Sequence, residues 1–298
     1  MIASESHTVA DASRCQAALQ AAMESVEPVA PDRWRGRPKD SSAPPLLVQL
    51  RDGFLLLAGT FSPGTPPSRW DLLKVNASLT GLVKFSSNLD SDLSLRAEIP
   101  VEAESNVSLR LDQACRAFAA AQHLTLDPNE NPVTVTPEVA PPDLAKLVEA
   151  AGWQCSSRRA DRCAVLLDTR RGAHTASLTA QAGTVRVSTE LASWDSLPTP
   201  GREGLSALLL TANARLRLAR AIVAEDESGG AAQLEVLFEA PVSAAELRSA
   251  LEALSVGADL CAPVVDILQH EEAAKLFLAI RGGPRNSEDS QQTTERKL

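Results

Sequence analysis

Two asparagines sit in nearly the same octapeptide. LLKVNASL, Leu72 to Leu79, and LLTANARL, Leu209 to Leu216, share five of eight positions at a constant offset of 137 residues. A side-chain amide inside an apolar run has three uses: an oxyanion donor, a contact for a partner, or a cap for backbone groups left over where an element ends. The third use fits best, because asparagine tolerates the left-handed conformation and satisfies free backbone groups. Asn76 and Asn213 are therefore expected as structural turn residues, each where a short helix ends and a strand begins.

The other residues capable of chemistry are scattered. His7, His123, His174 and His270 have no close His or Cys partner at metal-ligand spacing, Cys155 and Cys163 stand eight apart, and no CxxC occurs. HEEAA at His270 lacks the second histidine of a zinc-protease helix and reads as a solvated helix face. Ser62 in GTFSPG lacks the glycine spacing of a nucleophile elbow and is followed by proline, which makes it a loop serine. Asp90 and Asp92 in LDSDL have no further ligands at calcium-loop spacing and read as a hairpin turn. No phosphate-cradling or dinucleotide glycine pattern is found. The chain thus reads as a non-enzyme, with no catalytic residue, metal or cofactor expected.

Composition narrows the partners. The formal charge is −9, from 29 basic and 38 acidic residues, and 3% of residues are aromatic, with no tyrosine. Such a chain lacks both the cations that bind a phosphate backbone and the rings on which bases stack, so nucleic acid is an unsuitable partner. A partner with basic segments suits the charge better. No apolar run is long enough to span a bilayer, and the first residues have no signal-peptide pattern, so the expected setting is the cytoplasm of a bacterial type of cell, without membrane contact. The five cysteines, Cys15, Cys115, Cys155, Cys163 and Cys261, are expected as reduced thiols, with Cys115 and Cys261 on apolar helix faces.

These residues need elements to position them, and the elements recur. Each half begins with an amphipathic helix, around Ala10 to Val26 and around Asp143 to Gly152, followed by Trp34 or Trp153. Strands come next: LLVQL and FLLLAGTF around an Asp-Gly hairpin turn in the first half, and CAVLLDT, HTASLTAQ and TVRVSTEL in the second. Residues 69 to 76 and 203 to 213 suit short helices leading to each asparagine. An apolar segment follows, then a polar turn, an alternating strand, Pro-Val at Pro100 and Val101 or at Pro241 and Val242, and a final amphipathic helix. RGRPKDSSAPP, Arg35 to Pro45, reads as a loop. The ordered succession implies a tandem duplication of one α+β domain, α-β-β-β-α-β-β-α, with an antiparallel sheet packed against helices. The domains are expected at 1–125 and 143–281, joined by a proline-rich linker at 126–142 and followed by a disordered tail at 282–298.

The order of elements, with the strings LLKVNASL, LSLRAEIPVE and LRLDQACRAF in one half and LLTANARL and QLEVLFEAPVSAAELRSALEAL in the other, resembles the type III secretion chaperone-like family, which includes Tir chaperones and YbjN-type domains. The resemblance implies a non-enzymatic protein that holds an extended segment of a partner polypeptide along apolar strips or sheet edges. It also implies that single units pair through the short middle helix and the strand after it, here Trp70 to Phe85 and Leu205 to Ile222. A tandem chain is then either a monomer forming an intramolecular pseudo-dimer or a homodimer.

Leu55 and Leu57 in FLLLAG, Leu82 in TGLVKF and Leu237 in LEVLFE read as breaks in strand alternation. With Phe85 and Leu218, they are the candidate partner-binding or domain-interface residues. Burial by helices or by the other half is one reading, and an exposed strip for a partner is the other. The alternative function is a small-molecule receptor or enzyme using the cleft between the halves, with Asn76, Asn213 or a histidine as its polar anchor. A third reading is a purely structural homodimer through the same strips.

Overall fold

The computed structural model describes residues 3–39, 44–60, 68–87, 93–102, 104–121, 142–159, 162–170, 172–181, 183–226 and 229–282. Ser62, Asp90, Asp92, His123 and most of the expected linker and tail lie outside the described residues, as does the side chain of His7.

The first half runs α1 (Ala3–Ala22), β1 (Met23–Ala30), β2 (Arg33–Pro38), β3 (Leu46–Arg51), β4 (Phe54–Thr60), α2 (Arg69–Ser78), β5 (Val83–Ser87), β6 (Leu93–Pro100) and α3 (Val107–Ala121). The second runs α4 (Leu144–Ala150), β7 (Cys155–Arg159), β8 (Arg162–Thr169), β9 (Gly172–Gln181), β10 (Thr184–Ser193), α5 (Thr199–Asn213), β11 (Arg220–Asp226), β12 (Gly229–Glu239), α6 (Ala244–Leu268) and α7 (Glu271–Gly282). The strand orders, β1-β2-β3-β4-β6-β5 and β7-β8-β9-β10-β12-β11, match position for position, and all pairings are antiparallel. The chain is α+β, built from two like units.

Each unit has four strands before its middle helix, one more than expected. In the first half the expected helix to Val26 stops at Ala22, and the chain turns into β1, whose partner β2 takes in Arg35 to Pro38 of the expected loop. β1 is exposed apart from the buried Met23 and the half-buried Val26, so it carries no apolar alternation by which to recognise it. β7 was hidden for the same reason: CSSRR has no apolar period.

Burial of one sheet face under helices forms each core. In the first unit Trp34, Val48, Leu55, Leu57, Leu95, Ala97 and Ile99 are buried with Cys15, Ala18, Leu19 and Ala22 of α1 and Leu111, Ala114 and Phe118 of α3. The α1 set recurs at helical spacing, so one stripe of the helix meets the sheet. In the second unit α6 starts in a capping box, Ser243 with Glu246, and covers Val165, Leu178, Val187 and Val236. Gly257 lets it lie close to β12, because a Cβ there would come within 2.6 Å of a Leu234 methyl.

Two expectations fail on the cysteines and on strand phase. Cys155 and Cys163 form a disulfide across the β7–β8 hairpin, with Cα atoms 6.1 Å apart, whereas Cys15, Cys115 and Cys261 are free and buried. The pairing follows from β7 and its bulge after Cys155, which the sequence pattern does not reveal. Leu55 and Leu57 do not break alternation: with Gly59 they form the regular buried face of β4, and Phe54, Leu56 and Ala58 are the half-buried face.

Candidate functional site

The two units meet along the residues after each asparagine. β5 and β11 are the end strands of their sheets, and the middle helix of each unit lies on the other unit's end strand, α2 on β11 and α5 on β5, with α2 against α5. The elements that the resemblance assigns to pairing between single units are in contact here within one chain.

The asparagines close this joint. Asn76 accepts from the Phe85 amide (2.6 Å) and donates to the carbonyls of Phe85 (3.2 Å) and Ala221 (3.4 Å). Asn213 accepts from the Ala221 amide (2.6 Å) and donates to the same two carbonyls, at 3.0 and 3.3 Å. Both are fully buried. Neither has the expected left-handed backbone, since Asn76 lies inside α2 and Asn213 is the last residue of α5. The left-handed positions come five residues later, at Gly81 (φ 60°) and Leu218 (φ 62°), where the chain turns into β5 and β11. Each buried amide bonds three backbone groups at the joint.

A buried cation stands beside each asparagine pair. Lys84 of β5 donates to the carbonyls of Leu216 (2.5 Å) and Ala219 (2.9 Å) in the other unit and pairs with Glu98 at 2.7 Å. Arg220 of β11 donates to the carbonyls of Gly81 (3.3 Å) and Val83 (3.0 Å) and pairs with Glu235 at 2.5 Å. Each cation thus satisfies the last carbonyls of the opposite unit's turn, which have no water to turn to. Burial pushes the Lys84 ammonium below the ordinary lysine range; Glu98 opposes the shift, and Arg96 and Arg220 add to it. At the edge of the joint Trp70 stacks on Trp194 at 4.0 Å, and Lys74 pairs with Glu225 at 2.7 Å.

The final helices make unlike contacts. On one side α3 sends Arg110, 1% exposed, into the second unit. There it forms a two-pronged pair with Glu246 (2.7 and 3.0 Å), donates to the carbonyls of Glu239 and Pro241, and stacks over the Phe238 ring at 5.0 Å. Gln113 accepts from the same guanidinium at 2.9 Å. On the other side α6 turns Ser249 and Ala253 toward the first unit, and Ser249 donates to the Glu102 carboxylate at 2.8 Å. A cavity of about 350 Å³ remains there, with a floor of Phe54, Leu216, Ala253, Val256 and Leu260 and with Glu102, Glu252, Arg215 and Arg217 among its polar groups. Arg217 pairs with Asp52 at 2.6 Å and lies 5.2 Å over the Phe54 ring.

The six apolar candidates do not form an exposed strip: Leu55, Leu57, Leu82, Phe85, Leu218 and Leu237 are all buried, the most accessible being Leu237 at 8%. The exposed large apolar side chains include Val256, Leu260 and Ile267 on α6 and Leu276 and Ile280 on α7. Sequence reasoning passed over Lys84 and Arg220, although each is a charged residue within an apolar stretch, eight and seven residues after its asparagine. It also passed over Val256, Leu260 and Ile267, which follow a second helical stripe on the side of α6 away from its core stripe. His174 is half-buried and His270 exposed. Among the described residues no three His, Cys, Asp or Glu side chains gather as metal ligands, and no helix is long and apolar enough to cross a membrane.

No family model and no curated protein matches the sequence. Among solved structures, the crystal structure of aspartate kinase from Synechocystis aligns with 74% of this chain and 42% of its own chain, at 15% identity and a TM-score of 0.17. A score that low carries no argument about fold or activity.

Proposed function

We propose that this protein is a non-enzymatic binding module that holds a segment of a partner polypeptide, as the resemblance to secretion chaperone-like proteins implies. The observation that carries the reading is the second apolar stripe of α6. Val256 is 66% exposed, Leu260 44% and Ile267 47%, and they share one side of a helix whose other stripe fills the core. Contiguous exposed apolar surface on a protein otherwise rich in charge is the usual mark of a binding surface. The joint supports the second part of the proposal, that the working species is a monomer with an internal pseudo-dimer. The surfaces by which two single units would pair are already buried against each other.

Affinity purification of the full chain, beside a variant carrying Leu260→Lys and Ile267→Lys, tests the proposal. A polypeptide held by the parent and released by the variant is the expected result. Equal recovery with both proteins, or none with either, would overturn it.

A further inference from the structure

We infer that the cavity beside Ser249 is a binding site for a basic side chain set in an aliphatic segment, such as an arginine or lysine with a leucine-like neighbour. This deepens the binding-module reading and rests on it.

The inference starts from the unequal use of two corresponding helix faces. α3 and α6 are the helices that follow the last strand of each unit, and their core stripes run in the same phase: Val107, Leu111, Ala114, Phe118 and Ala121 against Leu247, Leu251, Leu254, Ala258 and Cys261. In that alignment Gln113 corresponds to Ala253, and Arg110 to Ala250, which is buried in the core. The α3 face thus fills its side of the joint with a guanidinium and an amide. On the α6 side the counterparts are two methyls, and a cavity remains beside Ser249 and Ala253.

The chemistry of the open side matches a basic guest. Arg110 shows how the joint holds a cation elsewhere: by a carboxylate and backbone carbonyls over an aromatic ring. Glu102 and Glu252 line the open side, and among the described residues the carboxylate of neither has a cationic partner; the Glu102 carboxylate accepts the Ser249 hydroxyl while its backbone carbonyl accepts from Arg14 at 2.9 Å, and Glu252 is exposed. Asp259, one turn beyond, accepts a backbone amide from Arg170 at 3.3 Å and keeps its other carboxylate oxygen unpartnered. Of the arginines in the lining, Arg217 is engaged with Asp52, and Arg215 is exposed at the turn after α5. The floor is apolar and continuous with the exposed Val256 and Leu260, so the stem of the basic residue and an adjoining aliphatic side chain have a surface to cover. The overall charge of −9 favours the approach of such a segment.

The test is fluorescence polarisation of the full chain with two labelled peptides, one alternating leucine, arginine and serine, the other with glutamate in place of arginine. The arginine peptide is expected to bind at least about tenfold more tightly, a difference of about 1.4 kcal/mol. Val256→Lys, at an exposed position, is expected to weaken it about tenfold or more with an unchanged melting temperature. Ser249→Arg, which supplies the missing cation from the chain itself, is expected to do the same. Equal affinity for the two peptides, no saturable binding, or full binding by Val256→Lys would overturn the inference. Used as baits, the same variants separate the two readings: a natural partner retained by Val256→Lys and Ser249→Arg removes this site and leaves the binding module, whereas no partner for the parent removes the module.

Discussion

Asn76 and Asn213 donate to the same two carbonyls, those of Phe85 and Ala221, from opposite units of one chain. Each asparagine fastens its own end strand and reaches across to the other, so local capping and the pairing of the units are one network. Asn76→Ala leaves the Phe85 amide without its acceptor in a dry site. A loss of about 2–3 kcal/mol is expected from chemical denaturation, with a similar loss for Asn213→Ala. Because the two share acceptors, the double variant should lose measurably less than the sum of the single losses.

Arg110 and Glu246 are each about 1% exposed. Truncating the arginine strands a buried carboxylate that also caps α6 through the Ser243 amide (2.9 Å). Arg110→Ala should therefore cost about 3–5 kcal/mol. Glu246→Gln keeps a capping oxygen and should cost less, and the difference between the two unfolding midpoints is the measurement.

The left-handed turn positions give a separate test of backbone. A Cβ at Gly81 would meet nothing within 4 Å, so Gly81→Ala isolates conformational cost from packing. It should destabilise by about 1 kcal/mol, read as a lower denaturation midpoint with an unchanged slope.

Burial raises the thiols of Cys15 to about 11 and of Cys115 and Cys261 to about 12, from 9.0. At neutral pH they should resist alkylation until the protein unfolds. Above pH 9 the unfolded chain releases thiol protons that the folded chain keeps, so these groups make stability fall as pH rises from 9 toward 11–12. The slope is about 1.4 kcal/mol per thiol per pH unit. Lys84 acts the other way: with its folded pKa lowered, the unfolded chain binds the extra proton, and its contribution to stability increases with pH up to 10.5. Denaturation at pH 7.5 and pH 10 should show a net loss that shrinks when the three cysteines are replaced by alanine.

The closed joint predicts a monomer. Light scattering should give 31.6 kDa across a wide concentration range, and a mass of twice that at low concentration would contradict the arrangement.

The repeat was legible in the sequence because both copies keep their apolar periods: α2 and α5 before the asparagines, the alternating β6 and β12, and the core stripes of α3 and α6. β1 was not legible, since a strand exposed on both faces needs no alternation, and neither was β7, because CSSRR has no apolar period; with β7 went the Cys155–Cys163 disulfide. The position of the asparagines was clear but not their geometry. An amide that caps a strand across a turn has the same sequence neighbourhood as one that turns the chain itself, and the left-handed residues, Gly81 and Leu218, share no side chain by which to align them. The candidate strip failed for a related reason. Leu55 and Leu57 belong to a run of three leucines, where phase is ambiguous, and Leu82, Phe85 and Leu218 are covered by a unit whose placement no single-unit pattern encodes.

Two identical subunits about a twofold axis must show every groove an even number of times. A fused pair has no such obligation, because Arg110 and its counterpart Ala250 are separate letters of one sequence, free to differ. Arg110 is buried across the joint on one flank, and a cavity stays open on the other, so the fusion sets a valency. A basic segment titrated into this protein should saturate at one equivalent per chain.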